Sequence, residues 1–340
     1  MHIFIDESGS FGGVGVGASI SVVGALIVPE SKWPKLQQAY RRLRPRLPQD
    51  KGEVKGRLLY EADVAEIIRL LRRYETLFEA TIIDLGMHTE EIIRRHQANQ
   101  AVGMTDTLTD AHHPSLVDNI WKARRQLEAL SMPLYVQALV TFYLVRNVLE
   151  IAPNYYAQRR PRELAGFHWV IDAKGRQANP TPWEQWWSKA IMPWMQTAMM
   201  RDPIGWCRDF NFRHTSRFET EPTEFFRSIA PSELLSNRAS VLNINLLMGE
   251  SFRFSYAAEP GLELVDIVTT TLRRALVGNL RLEGWRDLPS LIVNRKGENL
   301  QILALTGAES PAKRLPYSAV VKAFRNSSRS MLATRTNADR

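Results

Sequence analysis

The chain predicts an α/β fold: a mixed β-sheet flanked by helices and interrupted by helical insertions. Three observations point there. Short β-branched, apolar runs recur at 3–6, 18–28, 77–85 and 166–172. Longer stretches with apolar residues at helical spacing lie between them. The first two runs are close enough to pair as a hairpin, whereas the third and fourth are separated by helices. That order suits a mixed sheet covered by helices.

The elements follow in chain order. Ile3-Phe4-Ile5 forms a short buried strand that ends in Asp6, and Ser8-Gly9-Ser10 turns the chain. A glycine-rich turn over 9–17 leads into the second strand, which Pro29 closes. Pro29-Glu30-Ser31 opens a helix to about Arg46, stopped by Pro45 and Pro48. A polar loop over 49–56 carries Glu53 and Lys55. Val64, Ile67, Ile68 and Leu71 mark an amphipathic helix over 61–74. The third strand ends near Asp84, and helices at 89–100, 115–130 and 133–151 precede the fourth, which ends in Asp172. A Trp-rich helix spans 181–200, strands are expected near 208–214 and 250–256, and a helix spans 261–278. Residues 291–305 resemble a closing strand pair. Together these make one domain over 1–310, with helical insertions near 86–160 and 176–250. A basic tail over 322–340 is expected to lack structure.

Composition narrows the function. The 340-residue chain carries 44 Lys and Arg against 36 Asp and Glu, a formal net charge of +8. That surplus favours an anionic partner, nucleic acid (DNA or RNA) first. The single cysteine, Cys207, excludes an intrachain disulfide and a Cys-based zinc cluster, and fits a reducing, cytoplasmic setting. No secretory signal is read at the N-terminus. No membrane span is expected: the longest apolar candidate, Pro133 to Leu149, is interrupted by Gln137, Arg146 and Asn147.

The acidic residues carry the chemistry. A carboxylate at the end of a buried strand is costly unless it is paired, hydrogen-bonded or bound to a metal. Asp6 and Asp172 both stand there, and Asp266 lies between Val265 and Ile267 in an apolar helix whose Leu262, Val265, Val268 and Thr269 are expected to face the sheet. Several carboxylates converging on Mg2+ or Mn2+ are what two-metal phosphoryl transfer requires. On this reading Asp6 bridges the ions, while Asp172 and Asp266 each complete one side. Glu53 helps place the attacking water, with Glu150 as its rival, and Lys55 stabilises charge on the phosphate. Asp84 shares the strand-end position, but Gly86 marks an ordinary turn there.

Phe4-Ile5-Asp6-Glu7-Ser8-Gly9-Ser10-Phe11-Gly12 resembles the opening signature of the domain-of-unknown-function 3800 family. Ile27-Val28-Pro29, Glu53-Val54-Lys55-Gly56 and Gly261-Leu262-Glu263-Leu264-Val265-Asp266-Ile267-Val268 resemble its later elements, so the likeness covers about residues 1–280 in outline. It implies an RNase H-like fold and a Mg or Mn site built from Asp6, Glu53, Asp172 and Asp266. Glu263 stands where that family often has Gln and Val265 where it often has Ala, and the extra Glu263 charge is expected to alter the site.

Other signals carry less. Gly13-x-Gly15-x-Gly17 leads into a strand rather than a helix, so it reads as a hairpin turn and not a phosphate loop. His112 and His113 read as a solvated loop, His168 as structural and Cys207 as a packed thiol. Trp183, Trp186, Trp187 and Trp194 read as core, with base stacking or a dimer contact as the alternative. Arginines cluster at 41–46, at 159–162 and at 273–274, and could track phosphates. The functional expectation is a metal-dependent nuclease. Its rivals are a non-catalytic nucleic-acid-binding or assembly module, and a toxin-like or anti-phage effector gated by a protein partner. A homo-oligomer is compatible with each.

Overall fold

The structure, a computed structural model, describes residues 1–14, 19–106, 108–110, 112–174, 180–202, 204–221, 241–249, 251–295, 299–305 and 317–333. The chain opens with β1 (His2–Ser8) and β2 (Ile20–Val28), then α1 (Trp33–Leu43). A small hairpin, β3 (Gln49–Asp50) and β4 (Glu53–Val54), leads to α2 (Glu61–Arg73) and β5 (Leu77–Asp84). Helices α3 (Glu90–Gly103), α4 (Pro114–Glu128) and α5 (Met132–Ala157) follow, then β6 (His168–Asp172) and α6 (Pro182–Arg201). Beyond them lie β7 (Glu219–Thr220), β8 (Val241–Leu242), α7 (Ile244–Gly249), β9 (Phe252–Ser255), α8 (Pro260–Leu276), α9 (Leu282–Trp285), β10 (Gln301–Leu303) and α10 (Ser318–Ser327).

Six strands form the main sheet in the order β10-β5-β2-β1-β6-β9. β2 is antiparallel to both β1 and β5, whereas β6 runs parallel to β1, β9 to β6 and β10 to β5. The sheet is therefore mixed, as the element order predicts. The β1–β2 pairing from His2↔Val28 to Ser8↔Val22 is the expected hairpin. Gly9 turns it with φ +125, at a point where a Cβ would lie 2.5 Å from Ser21 Oγ. Residues 15–17 of the glycine-rich stretch lie outside the described residues.

Each sheet face has its own core. Alternation along β1 sends Ile3 and Ile5 to one face and Phe4 to the other. The Ile3 face packs on α5, with residues of α3, α4 and α6 completing that core. The Phe4 face packs on α8, joined by α1 and α2. All of β2 is buried, which explains why Ser21 is its one polar side chain. α2 buries Val64, Ile67, Ile68 and Leu71, the residues that predicted it.

Several expectations are corrected. Residues 208–214 form turns and the start of a 3₁₀ helix (Arg213–Phe218), not a strand. Over 291–305 only Gln301–Leu303 forms a strand, while Val293 makes an isolated bridge to Arg329. The tail is ordered as far as Ala333: α10 buries Val320 and Phe324, and Arg329 donates to the carbonyls of Ser290 and Thr76 at 3.0 and 3.2 Å. Residues 334–340 lie outside the described residues. α5 is long and apolar enough to cross a membrane by length and composition, but 78% of its most apolar window is buried inside the protein, as in a core helix.

Candidate functional site

Parallel pairing of β1 with β6 runs to Ile5↔Ile171 and sets Asp6 and Asp172 side by side: Asp172 ends β6, and Asp6 stands where that pairing stops, two residues before the end of β1. Asp6 follows the alternation of Phe4, and Asp172 that of Val170, so both belong to the face covered by α8. α8 brings Asp266 to the same place, with Leu262, Val265, Val268 and Thr269 buried as expected.

Asp266 is fixed from two sides. Gly56 N–H donates to its Oδ2 at 2.8 Å. Thr270 Oγ1 lies 3.2 Å from Asp266 Oδ1 and 3.2 Å from Ser8 Oγ, tying α8 to the end of β1. A Cβ on Gly56 would lie 2.9 Å from both Ile267 Cα and Thr270 Cβ, so a glycine is what lets the loop reach the helix. The Glu53-x-Lys55-Gly56 element therefore meets α8 through its glycine.

The field around these carboxylates is strongly negative. Burial first, then Glu7, Asp172 and Asp266, raises Asp6 well above the ordinary carboxylate range, against the pull of Lys174. Burial also raises Glu7, opposed by Lys174. Asp266 is raised by burial, against its bonds from Gly56 and Thr270 and the charge of Lys55.

Two residues of this site went unassigned in the sequence. Glu7 is the first, and Lys174 is the second. Lys174 Nζ stands 2.5 Å from Glu7 Oε1, 3.1 Å from Asp172 Oδ2 and 3.5 Å from Asp6 Oδ1. Burial lowers its pKa, but Glu7, Asp6 and Asp172 outweigh that and raise it, so it stays charged. Its backbone N–H donates to buried Glu184 at 2.7 Å, which also closes the capping box of α6. The signals were an Asp-Glu pair at one strand end and a lysine two residues past the other.

Glu53 and Lys55 sit at the rim. They pair with each other at 2.5 Å, with Glu53 37% and Lys55 39% exposed. Burial opposes the charge on Lys55, but Glu53, Asp266 and Asp172 raise its pKa, so its ammonium lies in the field of the cluster. Glu263, expected to alter the site, is instead neutralised: it accepts from Arg44 Nε at 2.8 Å, Arg44 Nη2 at 2.7 Å, Tyr40 Oη at 2.9 Å and Val54 N at 3.0 Å. That knot holds the β3–β4 hairpin on α8. Glu150, the rival to Glu53, belongs to α5 on the opposite sheet face. Asp84 accepts from Gly86 N at 3.0 Å, the turn role expected of it.

The donor set suits a hard cation. It is all carboxylate oxygen, the ligand type of Mg2+ and Mn2+. Three of its members already hold a cation, the Lys174 ammonium. Among the described residues, no three His, Cys, Asp or Glu side chains stand close enough together to hold a metal ion as they are. Lys174 Nζ occupies the space between Asp6, Glu7 and Asp172.

The remaining sequence signals resolve structurally. Trp183, Trp186, Trp187 and Trp194 are all buried, so none offers a face to a base. Cys207 is exposed, not packed. His168 packs against His2 with ring centroids 5.0 Å apart, and His113 caps α4. No family model, curated protein or solved structure matches this chain.

Proposed function

We propose that the chain is a metal-dependent nuclease that hydrolyses phosphodiester bonds of DNA or RNA. The observation that carries this reading is the convergence of Asp6 on β1, Asp172 at the end of β6 and Asp266 on α8 on one face of the sheet, near the C-terminal ends of two interior strands. The RNase H-like assignment rests on the resemblance of the sequence motifs. It is supported by a mixed sheet in which β1, carrying the first carboxylate, lies between β2 and β6.

Mg2+ or Mn2+ held by Asp6, Asp172 and Asp266 would supply an activated water and offset phosphate charge. The chain's own residues do the rest. Gly56 N–H and Thr270 fix the rotamer of Asp266. Lys55 presents an ammonium at the rim, where a phosphate oxygen gains charge. Glu53, paired with Lys55, is within the same loop to orient a water. Lys174 pairs with Glu7, Asp172 and Asp6, and with a cation bound there it would be available to the phosphate. Calorimetry with Mn2+ tests this: wild type binds, and Asp172→Asn binds at least tenfold more weakly.

Lys174 also favours a second reading. An ammonium already shared by three carboxylates neutralises them without metal, as a non-catalytic nucleic-acid-binding module requires. That reading expects no heat from Mn2+ and binding of DNA or RNA without cutting.

A further inference from the structure

We propose that the groove between α1 and α2 is a second nucleic-acid contact, a track for the phosphodiester backbone apart from the carboxylate site. The groove encloses about 330 Å³ and is walled by Arg42 and Arg46 from α1 and its 3₁₀ extension and by Arg69 and Arg73 from α2. Arg69 and Arg73 are spaced i,i+4 on α2 and so lie on one helix face about 6 Å apart along the axis. The only acid lining the groove is Glu66, which pairs with Arg46 at 3.0 Å. Among the described residues, Arg42, Arg69 and Arg73 make no ion pair. Four exposed guanidinium groups facing one cleft with one carboxylate repel each other until an anion enters, and their planar forks match phosphate oxygens.

The other arginine clusters are committed elsewhere. Arg160 forms a two-point pair with Glu75 at 2.6 and 2.8 Å, and Arg159 stacks on Tyr155 and donates to Met331 O at 2.8 Å. Arg273 donates to Ile20 O at 2.8 Å, and Arg274 to Leu59 O at 2.7 Å. Arg162 is exposed as well, but it stands alone in its cluster, whereas the groove gathers four exposed arginines from two helices. It is also linked to the carboxylates: Arg44, between Arg42 and Arg46, binds Glu263 and Gly52 O and so anchors the hairpin that bears Lys51 and Lys55. The choice of nucleic acid over a free anion rests on the phosphodiester reading of the carboxylate site; the groove itself does not.

The test is fluorescence anisotropy with labelled 30-nucleotide DNA and RNA, single- and double-stranded, in chelator at 50–200 mM salt. Asp6→Asn is compared with Asp6→Asn carrying Arg42→Glu, Arg69→Glu and Arg73→Glu, and with a milder triple Arg→Gln variant. The expected result is at least a tenfold loss of affinity and a salt slope shallower by about 2–3, as for three lost phosphate contacts. The Arg→Gln variant, with a wild-type melting temperature, should show the same change of slope. Unchanged affinity and slope would overturn the proposal even if wild type cuts DNA or RNA. Groove-dependent binding with no cleavage by wild type would sink the nuclease reading and leave the groove standing. Binding of neither nucleic acid would overturn the groove proposal and point to an acidic protein as its occupant.

Discussion

Gly56 donates its backbone N–H to Asp266 Oδ2 at 2.8 Å, joining a loop and a helix 210 residues apart in the chain. The bond exists because Gly56 has no side chain. Gly56→Ala puts a Cβ against the backbone of Ile267, and overpacking of this kind costs about 1–3 kcal/mol. The same change frees Asp266 to rotate. Thermal melts should show the destabilisation, and Mn2+ calorimetry a weaker site.

Asp6→Asn should stabilise the protein in the absence of metal. Asp6 is held well above its ordinary value of 3.8, and Glu7 and Asp266 above 4.5 and 3.8. A raised folded-state pKa means that the folded protein keeps protons the unfolded chain has lost. That contribution is full below about pH 4 and disappears as pH rises through the raised values. The apo melting temperature should therefore fall from mildly acid to neutral pH. Asp6→Asn should flatten that fall and add about 1–2 kcal/mol at pH 7. Saturating Mn2+ should restore the wild type most strongly at the higher pH.

Lys174→Met separates the two functional readings. Removing the ammonium leaves Glu7 and Asp172 without their ion pair, so the apo protein loses stability. If the carboxylates serve a metal, Mn2+ then binds about tenfold tighter, because no resident cation has to leave. If they serve structure alone, the variant is destabilised and titration with Mn2+ gives no heat.

Glu263→Ala should cost about 3 kcal/mol, since it leaves Arg44 and the buried Tyr40 hydroxyl without their acceptor. It also detaches the β3–β4 hairpin, so protease sensitivity around Gly52 should rise with the loss of stability.

Trp187→Ala should cost about 3–5 kcal/mol by opening a cavity in the α5–α6 core. Affinity of the folded fraction for DNA or RNA should not change, which anisotropy can read at a temperature below the mutant's melt.

The strand-end carboxylates were legible because burying an Asp beside Ile5 or Ile171 needs a reason, and period-two alternation says which face it takes. Asp266 was legible from its apolar helical neighbours. Lys174 was not, because its partners Asp6 and Glu7 stand on β1, far away in the chain. Glu263 looked like an added charge because the Arg44 partner lies 219 residues away. The C-terminal segment looked disordered by composition, but Arg329 is anchored by carbonyls from distant loops, which composition does not reveal. The basic clusters looked alike in sequence, and only partners such as Glu75 and Ile20 O tell a structural arginine from an available one.

The most direct measurement is cleavage of a mixed panel of labelled DNA and RNA, in Mg2+ and in Mn2+, by wild type beside Asp6→Ala. Metal-dependent cutting by wild type that disappears in Asp6→Ala is the predicted result. Cutting that survives in Asp6→Ala, or a wild type that binds the panel and cuts nothing in either metal, would contradict the account.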